Sequence, residues 1–217
     1  MVIAIDGPAG TGKSTIASLI AKKLGITYLN SGSFYRAITL ALLENKVDLA
    51  DEDAVLDFAK KQRLDYENSR LVLNGVDVED RLHEDAVSSN AAQVSAIVEI
   101  RHLVNARLHE ITKSLSIVCE GRDMTTVVFP DAEYKFYLDA SIDAQAERRF
   151  KQGVSRLSLE EIKEAILKRD EIDKSKKEGA LKIAEDAKYI DTTHLTIDEV
   201  CEIIIGKING NKMPKKV

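Results

Sequence analysis

The 217-residue chain is long enough for one large α/β domain with insertions, and its 44% hydrophobic content suffices for a real core. A net charge of −5 argues against a broad nucleic-acid-binding face, so positive charge for an anionic ligand has to be concentrated at individual side chains. Nothing approaches transmembrane length, no secretory pattern follows Met1, and Cys119 and Cys201 lack C-x-x-C spacing, so the expectation is a cytoplasmic protein.

Val2-Ile3-Ala4-Ile5 is a short apolar run of buried-strand type. Gly7-Pro8-Ala9-Gly10-Thr11-Gly12-Lys13-Ser14 follows and fits G-x-x-x-x-G-K-[ST], the phosphate-binding P-loop. Residues 16–24 then carry apolar side chains at helical spacing. Strand, glycine loop and helix are the three parts that the chemistry needs. The glycines let the backbone wrap an anion, successive N–H groups point inward, and the positive end of the helix faces the same spot. Lys13 is expected to reach the β- and γ-phosphates and the Ser14 hydroxyl to ligate magnesium, so the motif predicts binding of a nucleoside triphosphate.

Gly25 ends the first helix, and Thr27-Tyr28-Leu29 is a short extended piece. A turn at residues 30–33 opens a second helix with Arg36 in its first turn, where the helix dipole favours an acid. Arg36 is therefore either a surface residue or a phosphate ligand. Residues 48–61 read as an amphipathic helix. The pattern then alternates over residues 64–66, 70–73 and 76–78, and Asn74-Gly75 signals a two-residue hairpin, which predicts a small antiparallel insertion. From 81 to 112 the period is helical, in two segments broken near Ala96. Arg101 and Arg107 lie there as ion-pair partners or ligands, and His102 and His109, seven apart, read as a solvated face. The four histidines form no metal-binding pattern.

Residues 114–119 form an apolar, β-branched run, a buried parallel strand that ends at Glu120-Gly121-Arg122-Asp123. Ligands in open α/β sheets bind outside the carboxyl ends of strands, which places these polar residues at a candidate site. Residues 134–138 are the next strand and a helix bearing Arg148 follows. Residues 153–158, with Arg156, are the most loop-like interior stretch. A helical segment from Leu159 leads into a charge-dense run around Arg169, Asp173 and Lys176. A last strand at 189–191 and a helix at 197–208 precede a short basic tail, expected to fray.

Taken along its whole length, the chain resembles the bacterial cytidylate kinases, a branch of the nucleoside monophosphate kinases. The resemblance is carried by the loop from Asp6 to Thr15, Ser31-Gly32 with Tyr35-Arg36, Gly121-Arg122-Asp123-Met124 and Thr126-Val127-Val128-Phe129-Pro130-Asp131-Ala132. Arg169-Asp170 with Asp173 and Ile190-Asp191-Thr192-Thr193 complete it. The Gly-Arg-Asp-Met…Thr-Val-Val-Phe-Pro-Asp block is its most specific part. The resemblance implies one P-loop kinase domain: a five-stranded parallel sheet flanked by helices, an inserted monophosphate-binding part at about 31–114, and a lid at about 150–178. It implies transfer of a phosphoryl group from ATP, with Mg2+, to CMP or dCMP. A monomer is expected, and the charge and the lack of a long apolar stretch leave no nucleic-acid or membrane partner expected.

By the same likeness, residues 7–15 hold ATP, with Thr15 closing the loop motif, and Arg36 and Arg122 hold the acceptor phosphate. Ser31, Arg101 and Asp123 read cytosine. Arg169 and Asp173 meet the ribose, and Arg148 lies over the donor phosphates. Lys13, Arg122, Arg148 and Arg169 would then be the catalytic cations. The chain departs from the family pattern at Ala92, where a serine is expected and Ser95 is a substitute, and at Glu120 in place of aspartate. It departs again at Thr125 in place of glycine and at Lys176, a substrate ligand as a point charge where an arginine fork is usual. Rival readings are another P-loop kinase acting on UMP, dTMP or a shikimate-type metabolite, and a non-catalytic nucleotide switch. A GTP switch calls for Asn-Lys-x-Asp, and Asn211-Lys212 is followed by Met213-Pro214.

Overall fold

The computed structural model describes residues 1–67, 70–113, 115–153 and 157–212. Ser114, Arg156 and the basic tail at 213–217 lie outside the described residues. Five parallel strands form the main sheet: β1 (Val2–Asp6), β2 (Thr27–Asn30), β6 (Ile117–Gly121), β7 (Tyr134–Asp139) and β8 (Lys188–Asp191), in the order β2-β6-β1-β7-β8. A second, antiparallel sheet joins β3 (Leu64–Glu67), β4 (Arg70–Leu73) and β5 (Val76–Asp77). Its β4–β5 turn is Asn74-Gly75, both at positive φ (52° and 84°), as a type I′ hairpin requires.

The eight α-helices among the described residues are α1 (Lys13–Leu24), α2 (Ser31–Glu44), α3 (Glu52–Ala59), α4 (Asp85–Val94), α5 (Val98–Thr112), α6 (Ile142–Lys151), α7 (Leu159–Ser175) and α8 (Ile197–Lys212). The central strands are apolar on both faces because helices cover both. On one face Ala4, Leu29 and Cys119 pack with α2 and α5 through Phe34, Ile38, Ile100 and Val104. On the other, Ile3, Ile5, Val118 and Phe136 pack with α1 and α8 through Ile16, Ile20, Val200 and Ile204. Among the described residues no helix is long and apolar enough to cross a membrane.

His102 and His109 lie on an exposed face of α5, as their spacing suggests, although the His109 imidazole also packs against Phe129, with ring centroids 5.4 Å apart, and its Nε2 lies 2.6 Å from the Val128 carbonyl oxygen. The charge-dense run beyond Leu167 continues α7 to Ser175, but it is not simply a solvated helix, since Asp170 and Asp173 within it are buried. The cause is tertiary, since these carboxylates find partners on other elements. Strand β1 is central, and the chain crosses to opposite sides of it, so the crevice opens at the carboxyl ends of β1, β6 and β7.

Candidate active site

The P-loop runs from the end of β1 into α1. A Cβ at Gly7 (φ 149°) would come 2.0 Å from the Leu138 carbonyl oxygen, so only glycine lets the loop pass this close to β7. Gly12 (φ 88°) turns the chain into α1, whose first turn has no acidic residue and no side-chain cap. Its leading N–H groups are therefore free to meet an anion. Lys13 is buried, and its Nζ donates to the Pro8 carbonyl and to Thr11 Oγ1, 3.4 Å away. Burial, then the nearby Arg122 charge, push its ammonium down to about 7, with Glu120 opposing.

Ser14 Oγ donates to Glu120 Oε1 at 2.8 Å, and the Tyr28 hydroxyl lies 3.4 Å from the same oxygen. A hydroxyl and a carboxylate of this kind suit Mg2+, a hard ion that takes one or two protein oxygens and completes its shell with phosphates and water. Among the described residues no cluster of three or more His, Cys, Asp or Glu is placed to hold a metal.

Beyond the loop, Arg36, Arg122 and Arg169 converge from α2, the turn after β6, and α7. Arg122 Nε donates to Asp173 Oδ2 at 2.7 Å, and Arg169 Nε is 4.0 Å from the same oxygen, too far for a hydrogen bond. The Nε atoms of Arg36 and Arg169 are buried with no hydrogen-bond partner. Burial and the neighbouring guanidiniums push Arg169 down to about 9, and burial likewise lowers Arg36. Asp173, Asp170 and Glu120 face these guanidiniums, yet the buried Arg36 and Arg169 Nε–H groups have no acceptor among them, and buried N–H groups need acceptors. A phosphate supplies them.

Burial alone would raise the Asp173 carboxyl, but Arg122, Lys176 and Arg169 outweigh it and hold it at about 2, below the ordinary 3.8. A folded-state value below the unfolded one contributes stability that is present above 3.8 and lost as pH falls toward 2. Asp173→Asn is therefore expected to lower stability to urea by an amount constant from about pH 8 to about pH 5, shrinking below about pH 4. An equal deficit at neutral and strongly acidic pH would contradict that assignment.

Deeper in the crevice, Arg101 (2% exposed) and Asp123 (3%) form a buried ion pair through Arg101 Nη2 and Asp123 Oδ2. Arg101 Nη1 donates to the Ser95 carbonyl at 3.2 Å, and its guanidinium lies 5.8 Å from the centre of the Tyr35 ring. Burial disfavours the Arg101 charge, but Tyr35 and Asp123 more than restore it. The Tyr35 hydroxyl and Arg101 Nε are buried without partners. Ser31 Oγ donates to the Glu120 carbonyl at 2.9 Å. Lys176 Nζ donates to Asp173 Oδ1 at 2.8 Å and to Ser95 Oγ at 3.0 Å, so Ser95 does enter the site.

Arg148 stands apart from this cluster. Its guanidinium donates to Thr192 Oγ1 (3.0 Å) and to the Thr192 carbonyl, and Thr192 Oγ1 in turn reaches the Thr11 carbonyl at 3.4 Å. It thus braces the outer edge of the P-loop. Arg107, the other open case on α5, is an ion-pair partner of Asp65 and Glu110. Sequence reasoning counted Asp170 in the family motif but gave it no role; its Oδ1 accepts from the Ala9 N–H at 3.2 Å and docks α7 onto the P-loop. It likewise gave no role to Asp6, which opens the loop motif.

A sequence profile described as Cytidylate kinase matches residues 3–210. The chain belongs to the cytidylate kinase family. Membership rests equally on full-length relatives. A protein named Cytidylate kinase from Borreliella burgdorferi (strain ZS7) is 40% identical over 221 residues, covering 100% of both chains. Another of that name, from Caldanaerobacter subterraneus subsp. tengcongensis, is 41% identical over 212 residues, covering 96% of this chain and 95% of its own. Among solved structures, an uncharacterized protein from Eubacterium ventriosum superposes with a TM-score of 0.54 at 13% identity. The match covers 96% of this chain and 98% of that one and bears on the fold alone. The P-loop kinase architecture of the family is the one described above, with five parallel strands between helices.

Proposed function

We propose that this protein transfers the γ-phosphoryl group of ATP to CMP or dCMP, yielding ADP and CDP or dCDP. The observation that carries this reading is the convergence of Lys13, Arg36, Arg122 and Arg169 between the P-loop and the buried Arg101–Asp123 pair. Such an arrangement offers two phosphate positions facing each other, with the Arg101–Asp123 pair beyond the second.

Phosphoryl transfer between two polyanions asks for positioning and charge neutralisation rather than covalent work. The attacking phosphate oxygen is already ionised, so no side chain has to act as a strong base. Residues 7–15 cradle the ATP phosphates and Lys13 reaches the β- and γ-oxygens. Arg36 and Arg122 grip the acceptor phosphate. Arg169, Asp173 and Lys176 meet the ribose, and Ser31, Arg101 and Asp123 read the base. Arg148 holds the Thr192 corner beside the donor phosphates. Ser14 Oγ, and Glu120 through water, would hold Mg2+, which supplies charge neutralisation on the β- and γ-phosphates when bound. We place the reaction in the cytoplasm, in a monomer that handles free nucleotides without nucleic acid or membrane.

Residues 150–178 are proposed to act as a lid and 31–114 as the acceptor-binding part. Closing them excludes water, which an open site would let attack ATP. In that case hydrogen exchange in α7 slows when a bisubstrate analogue binds with Mg2+; equal protection with and without it would mean α7 is no lid. The direct test of function is ADP formation from ATP. Turnover should be negligible alone and fast once CMP is added, whereas equal rates with and without CMP would defeat the reading.

A further inference from the structure

Asp6, the last residue of β1, is fully buried and immediately precedes the P-loop. Among the described residues it has no ion-pair partner. Its carboxylate instead accepts three hydrogen bonds, all from the turn that follows Asp123. Oδ1 accepts from the Met124 N–H at 2.8 Å, and Oδ2 from the Thr125 N–H at 2.7 Å and the Thr125 hydroxyl at 2.6 Å. Burial raises the carboxyl to about 6 even against these bonds, so an aspartate here is costly. A strand end in an apolar core needs no such group, and the assigned chemistry does not use it.

What the carboxylate does is geometric. Strands β1 and β6 run side by side with Asp6 opposite Gly121, so Asp6 ties the start of one loop to the loop next door. The tied turn is closed from its other side, where the Val127 and Val128 N–H groups donate to the Asp123 carbonyl at 2.9 and 3.1 Å. Arg122 and Asp123 project from this turn, at an Asp123 backbone conformation (φ −144°, ψ 23°) outside the helix region. Their placement relative to the P-loop therefore depends on the bridge from β1.

We propose that Asp6 is a positioning residue that clamps the Arg122–Asp123 turn against the P-loop, and that the Thr125 hydroxyl is a working part of the clamp. This deepens the reading above, since it takes Arg122 and Asp123 to face the acceptor. It also gives Thr125, unusual against the family pattern, a physical role. A shift of about 1 Å in such groups is enough to cost about a hundredfold in rate.

The test separates the two substrates in Asp6→Asn, Thr125→Val and Thr125→Ser. Asp6→Asn points an amide N–H at a backbone N–H, and Thr125→Val deletes one donor with little change in shape. Asp6→Asn is expected to raise the KM of the acceptor about tenfold or more and lower kcat. The Kd of ATP measured without acceptor should stay within about twofold. Thr125→Val should move the same constants in the same direction by a smaller factor, and Thr125→Ser should restore them. Equal loss of ATP and acceptor binding, or a lowered Tm with unchanged acceptor KM, would overturn the clamp. If Asp6→Asn does not fold, the Thr125 pair decides alone on the same criteria. The acceptor used is whichever monophosphate the wild type turns over best, so an inactive wild type with CMP would count against the (d)CMP reading and leave the clamp still tested.

Discussion

Replacing Lys13 with alanine is expected to lower kcat by at least about a hundredfold, the loss typical of one preorganised charge in a dry site. The physical basis is the burial of its ammonium, whose Nζ is held by the Pro8 carbonyl and Thr11 Oγ1. A cation already stripped of water needs no reorganisation when negative charge develops on the transferring group. It is also the α1 residue nearest the loop, so no neighbouring lysine can substitute. The substitution leaves the Pro8 carbonyl without one donor, and a thermal melt is needed to separate lost catalysis from lost folding. A folded variant with near-normal kcat would remove Lys13 from the mechanism.

The second large effect concerns choice of base. Asp123 and Arg101 are paired through one oxygen and one nitrogen, leaving the other Asp123 oxygen as acceptor and Arg101 Nε as unpaired donor. Cytosine presents an exocyclic amine for the acid and a carbonyl and ring nitrogen as acceptors for the guanidinium. Uracil reverses the key positions, turning N3–H toward Arg101 and O4 toward Asp123. Each mismatch leaves a buried polar group unpaired at roughly 1–3 kcal/mol, so two predict about 10²- to 10⁴-fold discrimination in kcat/KM. Asp123→Asn should shrink that gap, because an amide can turn its NH2 toward O4. It keeps a carbonyl for Arg101, which matters because removing one partner of a buried pair outright costs about 3–5 kcal/mol of stability. Equal losses for CMP and UMP would mean that Asp123 does not read the base.

The P-loop was legible because its sequence and its local structure are one thing: strand, glycines and helix are contiguous. The hairpin at Asn74-Gly75 was legible for the same reason. Strand order was not, since an apolar run announces a buried strand without naming its neighbour. Strand β2 pairs with β6 across most of the acceptor-side chain. Arg36 was left open between surface residue and phosphate ligand, and Arg101 between ion-pair partner and ligand, because only tertiary packing shows that the Arg36 Nε is buried and that Arg101 pairs with Asp123. Arg101 falls on the buried stripe of α5 with Val104 and Leu108, a position in the period that could have flagged it. Asp6 and Asp170 bond to backbone N–H groups on other loops, contacts with no sequence spacing to read. The turn read at residues 30–33 is already the first turn of α2, which starts at Ser31 and puts Arg36 in its second turn; its cap, the Asn30 side chain accepting from the Gly32 N–H, went unread.

The central claim is that the Arg101–Asp123 pair beyond the cations selects the cytosine of a nucleoside monophosphate. Its most direct measurement is kcat/KM at saturating ATP and Mg2+ for CMP, dCMP, UMP, dTMP and shikimate under one set of conditions. The account predicts that CMP or dCMP leads and that UMP trails by about a hundredfold or more. UMP, dTMP or shikimate turned over as well as CMP would contradict it.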